Sequence, residues 1–448
     1  MKVWARITLI ISAALAFPLA FAPYDQSWIL VAAWPAFLWA MAGLRPPASR
    51  GAGFVWGLIA FGAGISWFWN IFGARSLSLF AILAIFPALF GGAMSMAARK
   101  GWGGVKLAGF SAVAWISLEF IRCELFWLKF PWLSLGSAVA PNFLHPIIGT
   151  YGIGFMLALS LALIVHGSAK QRIAGVACSI AILCLPLLPT GANSPQDALV
   201  RVCGIQAEAV APEEYLRLSQ SAPQGTQLII WPEYSVPFDL RKNEKIFDKI
   251  SHFASGRGAL MVVGTQTQHS ADVWRNTALT FDASHVLGEH YKQHTVHFFN
   301  DGKPGTTEDP IATPLGRIGT PICFDCDFQD VVRAMTANGA EFFAVPMMDA
   351  ESWGLKQHVQ HSRLFRLRAA ENDRWMVVVG TSGVSQIIDP EGRVVSSIPP
   401  MTPGLLIGTV GRRTGLTLYT RVGWLFPWAV LAAFTLTLPL LFRHTSRP

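Results

Sequence analysis

Seven long apolar runs occupy the first 197 residues of this chain, and an eighth lies near its end. They fall at about 7–22, 27–44, 53–73, 77–97, 106–123, 150–167, 172–190 and 422–442. A helix needs roughly 20 apolar residues to cross the hydrocarbon core of a bilayer. In lipid a backbone must satisfy its own hydrogen bonds, which restricts spanning segments to helices and closed barrels. The first run stands behind Lys2 and Arg6 and ends Ala-Phe-Ala, as a cleavable signal does. Pro23 directly after it disfavours cleavage, so it reads as a helix. Composition agrees: 52% of the 448 residues are hydrophobic and 14% charged, where soluble chains carry about 25% charged residues. The charge deficit is local. Residues 1–197 read as a membrane domain, 198–412 as an ordinary globular domain, and 413–448 as a last helix with a short tail.

A net charge of +8 suggests a nucleic-acid partner only if the basic residues cluster, and here they sit between apolar runs. With the N-terminus in the cytoplasm, the inside segments carry Lys2, Arg6, Arg45, Arg50, Arg99, Lys100, Lys106, Lys170, Arg172, Arg443 and Arg447. The short outside loops carry little beyond Arg75 and Lys129, as the positive-inside rule requires. Seven crossings then place the globular part on the periplasmic side of a bacterial inner membrane, and the eighth returns the tail to the cytoplasm. No nucleic-acid partner is expected, and the protein is expected to be a monomer among membrane lipids. One outside segment, 115–132, holds Glu119 and Arg122 on one helix face. Such a pair marks either a substrate route or an interfacial anchor, and both readings stand.

From residue 198 short apolar runs alternate with polar, helix-like stretches, which argues for a layered α/β domain. Strands are expected over 199–205, 227–231, 259–264, 277–281, 319–323, 342–346 and 375–380. Helices are expected over 212–221, 241–255, 327–338 and 357–372. Asp389-Pro390-Glu391-Gly392 is a turn signal between two further strands. Glu233 follows one strand, Lys292 follows the strand-like stretch around Leu287-Gly288-Glu289, and Cys323 ends a third. Loops at such strand ends converge on a rigid sheet. A carboxylate, an ammonium and a thiol brought together there supply a base, an electrostatic stabiliser and a nucleophile. Taken singly, Cys323 is a buried structural thiol, Glu233 a helix-start carboxylate and Lys292 a solvated lysine; the combination favours the site.

The six cysteines, at 123, 178, 184, 203, 323 and 326, have no disulfide-scaffold or zinc-ribbon spacing. Cys323-x-x-Cys326 lacks the thioredoxin-like context of a redox pair. His290, His294 and His297 lack a convincing set of metal partners, so neither metal nor cofactor is expected.

I-I-W-P-E (229–233), Y-K-Q-H (291–294), P-I-C-F-D (321–325), H-S-R-L-F-R-L-R-A-A-E-N (361–372) and S-x-x-x-D-P-E-G (385–392) resemble the nitrilase superfamily. L-A-F-A-P-Y-D-Q-S-W (19–28), F-G-A-G-I-S-W-F-W (61–69), F-P-W-L-S-L-G (130–136) and G-T-Y-G-I-G-F (149–155) narrow the resemblance to the apolipoprotein N-acyltransferase family. The resemblance implies an αββα sandwich set between transmembrane helices seven and eight, with Glu233, Lys292 and Cys323 as a catalytic triad. It implies transfer of an acyl chain from a phospholipid, through a thioester on Cys323, to the amino group of a diacylglyceryl-modified N-terminal cysteine in a lipoprotein. Glu233 takes the thiol proton, while Lys292 and the Phe324 N–H hold the oxyanion.

The chain departs from the family pattern in places. Phe324-Asp325 stands where Tyr-Glu is usual, and both are carried as oxyanion or substrate-binding candidates. The stretch after Lys292 is short and lacks a family glutamate, for which Glu308 or Asp301 is the stand-in. Gly204-Ile205-Gln206-Ala207-Glu208 replaces a Q-G-N-I-like element, with Tyr215 in the place of its downstream aromatic. Met348-Asp349-Ala350-Glu351-Ser352-Trp353-Gly354 expands N-D-A-W-F-G, which makes Trp353 a substrate-side candidate. Two other function classes fit these features: a membrane-tethered amidase or nitrilase that hydrolyses C–N bonds, and a membrane protein whose outer domain only binds lipid or peptide.

Overall fold

A computed structural model describes residues 1–188, 197–270 and 272–442. The end of the expected span 172–190 and the basic residues Arg443 and Arg447 lie outside the described residues. The chain divides into two compact units, one of Met1–Ala140, Ile148–Pro189 and Val422–Pro448, the other of Pro141–Ile147 and Thr190–Arg421.

In the first unit each apolar run forms a helix: Val3–Ala16, Leu30–Met41, Pro46–Gly64, Ser76–Arg99, Gly104–Phe120, His145–His166, Ala169–Cys184 and Phe426–Phe442. Among the described residues, five segments are long and apolar enough to cross a membrane: Val3–Ala20, Phe68–Arg99, Gly104–Leu125, His145–His166 and Gly423–Phe442. Aromatic rings fill the interior, with centroids of Trp34 and Trp115 4.4 Å apart and those of Phe37 and Trp56 also 4.4 Å apart. Gly53 and Gly57 let two helices touch at backbone distance, because a Cβ at either would collide with Pro87 or Ala84. Glu119 and Arg122 are buried. Arg122 donates to the carbonyls of Phe130 (2.8 Å) and Trp132 (2.9 Å), and Glu119 accepts from the Leu135 N–H (2.8 Å). The pair therefore satisfies the backbone of the F-P-W-L-S-L loop.

The second unit is built on two six-stranded sheets. Their strands are β1 (Asp197–Gln206), β2 (Leu228–Ile230), β3 (Leu260–Ser270), β4 (Val273–Phe281), β5 (Val286–Tyr291), β6 (Ile311–Thr313), β7 (Gly316–Gly319), β8 (Phe342–Met347), β9 (Met376–Gly380), β10 (Ser385–Ile388), β11 (Val394–Ile398) and β12 (Gly404–Arg412). The strand orders are β12-β1-β2-β3-β4-β5 and β11-β10-β9-β8-β7-β6, with β1–β3 and β7–β9 parallel and the outer pairs antiparallel.

Alternation along the strands makes the layers. Cys203, Ile205, Ile229, Trp231, Met261, Val263, Leu279 and Phe281 join Tyr215, Ile246, Ile250 and Ala254 of helices Pro212–Ser219 and Glu244–Arg257 in one apolar core. The intervening Val202, Ile230, Val262 and Ala278 are also buried. The sheets meet where Gly204 of β1 faces Val379 of β9 and Gly408 of β12 faces Ile387 of β10. Helices Asp330–Ala337 and Leu355–Asn372 cover the second sheet, completing an αββα sandwich.

The expected strand 319–323 ends at Gly319, and the helix expected from 327 begins at Asp330. Cys323–Asp327 forms a tight 3-10 turn between them instead.

Candidate active site

Three loops beyond strand ends carry the titratable residues. The first follows β2: Trp231-Pro232-Glu233 runs against β3 at Gly264, where any Cβ would collide with the Pro232 carbonyl and the Glu233 Cα. The second follows β5, and the Lys292 N–H still pairs with the Asn276 carbonyl of β4 at 2.9 Å. The third is the turn that opens at Cys323, whose φ of 49° is in the left-handed region. That conformation costs a non-glycine residue roughly 1–2 kcal/mol, so neighbouring contacts must enforce it.

Asp325 provides those contacts. Its side chain accepts from the N–H groups of Ile322 (3.0 Å), Gln293 (2.9 Å) and His294 (2.8 Å), and His290 Nε2 lies 3.3 Å away. It ties the nucleophile turn to the residues after Lys292, and all its oxygen capacity faces the protein. Phe324 turns its ring to Phe328, with centroids 4.8 Å apart.

Glu233, Lys292 and Cys323 are 1%, 2% and 4% exposed. Lys292 Nζ lies 2.8 Å from Glu233 Oε1 and 2.9 Å from Asp301 Oδ2. The Asn276 amide donates to Glu233 Oε1 (2.6 Å), Asp301 Oδ1 (2.7 Å) and the Tyr234 hydroxyl (2.9 Å), and Tyr234 donates to Asp301. The backbone of Met348, just beyond β8, joins base to thiol. Its N–H donates to Glu233 Oε2 at 2.8 Å, and its carbonyl accepts from Cys323 Sγ at 3.7 Å.

Burial pushes the Cys323 thiol well above its ordinary range, and Glu233 and Asp349 add to that while Lys292 opposes it. Burial likewise raises the Glu233 carboxyl, against the pull of Lys292. Burial alone favours the neutral amine of Lys292, but the carboxylates of Glu233 and Asp301 outweigh it and hold the ammonium charged. Asp301, though disfavoured by burial, is held below the usual carboxylate range by Lys292.

Beside the thiol, His361 stands between two carboxylates: Nδ1 is 2.9 Å from Asp349 Oδ1, and Nε2 is 3.0 Å from Asp327 Oδ1. The second contact meets the distance but not the alignment of a hydrogen bond. Although burial opposes the charge, Asp349 and Asp327 raise His361 to about 10. Donor atoms of Cys323, Asp349 and His361 lie within 4.8 Å of one another. With both ring nitrogens facing carboxylates, His361 binds protons there and offers no lone pair to a metal.

The other candidates fall elsewhere. Tyr215 is 2% exposed, donates to the Ala207 carbonyl (2.5 Å) and stacks on Trp231 at 5.4 Å, so it is a core prop beneath the Glu233 loop. Asp301, and not Glu308, meets Lys292; Glu308 uses its carbonyl to accept from Asn338 at 3.2 Å. Trp353 sits beside Phe299, with ring centroids 5.8 Å apart. Sequence reading missed Asn276, Tyr234, Met348 and the Asp327–His361–Asp349 group. Asn276 and Tyr234 lie near the ends of expected strands, while Met348, Asp349 and His361 fall in motif stretches that carried the family resemblance without a role for these residues.

Residues 206–416 match the carbon-nitrogen hydrolase family, and residues 13–163 match the apolipoprotein N-acyltransferase N-terminal domain. A carbon-nitrogen hydrolase from Helicobacter pylori G27 has a TM-score of 0.42 at 16% identity, covering 55% of this chain and 99% of its own. The apolipoprotein N-acyltransferase of Geobacter metallireducens is 26% identical over 481 residues, covering 92% of this chain and 91% of its own. That of Azotobacter vinelandii is 27% identical over 513 residues, covering 99% of this chain and 96% of its own. Both halves are matched in the same order along one chain, which is similar over nearly its whole length to proteins of the apolipoprotein N-acyltransferase family.

Proposed function

We propose that this bacterial membrane protein N-acylates lipoproteins through a thioester on Cys323. The carrying observation is the buried cluster in which Lys292 bonds Glu233 and the backbone of one residue, Met348, touches both Glu233 and the thiol. A thiol held protonated by burial needs a base at hand, and a carboxylate whose proton affinity is raised is a better base than a solvated one.

Glu233 takes the proton of Cys323 as sulfur attacks the carbonyl carbon of a phospholipid ester. An ammonium has three N–H donors. Glu233 and Asp301 occupy two on Lys292, and the third meets the developing oxyanion together with the Phe324 N–H. Loss of one such donor typically costs about 3–4 kcal/mol. The C–O bond then breaks, Glu233 returns its proton to the leaving alkoxide, and a lysophospholipid departs. In the second half the α-amino group of a diacylglyceryl-cysteine attacks the thioester. Its proton passes to Glu233, the C–S bond breaks, and the amide leaves as the thiol is restored. The basic residues flanking the apolar helices support a cytoplasmic N-terminus with the α/β unit on the periplasmic side.

The test uses the full chain in detergent with a phospholipid labelled in its sn-1 chain. Wild type acquires hydroxylamine-sensitive label on Cys323, and Cys323→Ala does not. Equal labelling of both, or of neither, overturns the reading. Release of ammonia from small amides without acyl transfer assigns the site to C–N hydrolysis instead.

A further inference from the structure

The mechanism above leaves a buried ionic group beside the thiol unused. Asp327 closes the turn that Cys323 opens, His361 lies on helix Leu355–Asn372, and Asp349 follows Met348. All three are buried. Asp327 meets the His361 ring, 3.0 Å from Oδ1. A buried carboxylate is costly unless it is paired, and a packing role does not require one. Asp349 is further fixed by Gln357 Nε2 at 2.9 Å, and its own carbonyl accepts from the Thr381 hydroxyl at 3.1 Å.

We propose that His361, gripped by Asp327 and Asp349, is a positioning residue: it ties the nucleophile turn to the Met348 peptide and supplies the positive charge that offsets Asp349 beside the Cys323 thiol. The ring bridges the two segments that must keep a fixed spacing, since the Met348 carbonyl meets the thiol and the Met348 N–H meets Glu233. Asp349 is one of the charges that hold the thiol protonated, and the imidazolium answers it. From its own helix His358 acts on Asp349, and Arg368 acts on Asp327 while paired to Glu371 at 3.1 Å; from the facing loops Glu233 and Lys292 act on the thiol beside the ring. This inference rests on Cys323 being the nucleophile but not on what acylates it.

The experiment is alkylation of Cys323 in the full chain with iodoacetamide as a function of pH, followed by peptide mass spectrometry because Cys178 and Cys184 are exposed. Alkylation needs the thiolate and no acyl donor, so it is independent of the acyl-transfer test. His361→Gln removes the positive charge and leaves Asp349 unanswered. Its alkylation midpoint is expected to rise by about one pH unit or more, the usual effect of one charge within several ångströms. His361→Gln combined with Asp349→Asn removes one charge of each sign, and the midpoint returns toward wild type. Asp349→Asn alone removes the negative charge beside the thiol and lowers the midpoint, a result readable even where His361→Gln fails to fold. An unchanged profile in His361→Gln, a midpoint in the double variant above that of the single, or a rise in Asp349→Asn overturns the proposal.

Discussion

Asp325 stands next to Phe324 in the nucleophile turn, where sequence reasoning places a substrate-binding group, yet the structure makes it a clasp. It accepts from three backbone N–H groups at 3.0, 2.9 and 2.8 Å and lies 3.3 Å from the His290 ring. Asp325→Ala leaves those donors buried without partners. Each costs about 1–3 kcal/mol. Against this, the turn loses the force that holds Cys323 at a φ of 49°, and relaxation there recovers roughly 1–2 kcal/mol. The net loss is about 4 kcal/mol. For a domain of this size 1 kcal/mol corresponds to about 2–4 °C, so the unfolding midpoint of the α/β unit falls by roughly 8–16 °C. Asp325→Asn keeps one accepting oxygen, and its loss is about half as large.

Melting of the full chain in detergent, followed by tryptophan fluorescence, reads the stability. Hydroxylamine-sensitive labelling of Cys323 reads the chemistry in the same samples. In both variants the two losses are expected together, graded as Ala above Asn. Asp325→Ala that melts with wild type but does not label refutes the clasp and restores a direct role toward substrate.

Glu233→Gln keeps an acceptor for the Met348 N–H and removes the base, so labelling of Cys323 falls by about 10²–10⁴-fold; acylation rates against wild type at equal folded fraction check it. His361 is raised from 6.5 to about 10 in the folded protein. Its stabilisation is therefore full below about 6.5 and is lost as pH rises toward 10: the melting temperature should fall over that interval, and His361→Gln should flatten the fall.

The helices and most strands of the site are legible in the sequence because apolar period and length encode them. Ile229-Ile230-Trp231 alternates between two apolar layers, and Glu233 must lie beyond its end. The Cys323 turn was not legible. An apolar run through Pro321-Ile322 reads as a continuing strand, and cysteine has no preference for positive φ that would announce a turn. Tyr215 misled for a related reason: an aromatic near the domain start serves a site or a core equally well until its ring is seen on Trp231. Asn276 reaches Glu233 across 43 residues of sequence, and no local pattern marks a side chain whose partners are brought to it only by the pairing of β3 with β4.

The carboxylates around the thiol outnumber the cations, and their arrangement divides the roles. Lys292 stands between Glu233 and Asp301, and His361 stands between Asp327 and Asp349. In each group a single cation serves two buried acids. One is held ionised, Asp301 and Asp349, while the other is pushed toward its proton by burial, Glu233 and Asp327. Asp301 thus occupies the lysine and keeps Glu233 basic enough to take a proton from sulfur. Asp301→Asn leaves Lys292 to Glu233 alone, which lowers the proton affinity of Glu233. Each pH unit so lost weakens the driving force of proton transfer by about 1.4 kcal/mol. Part of that appears in the rate, so acylation of Cys323 should slow by several-fold or more although Glu233, Lys292 and Cys323 are all intact. The pH at which acylation reaches half its maximum should also move down, since a more acidic Glu233 ionises earlier. A slower reaction with an unmoved pH profile would show that Asp301 only holds the loop through the Val296 N–H, 2.8 Å from its Oδ2, and does not tune the base.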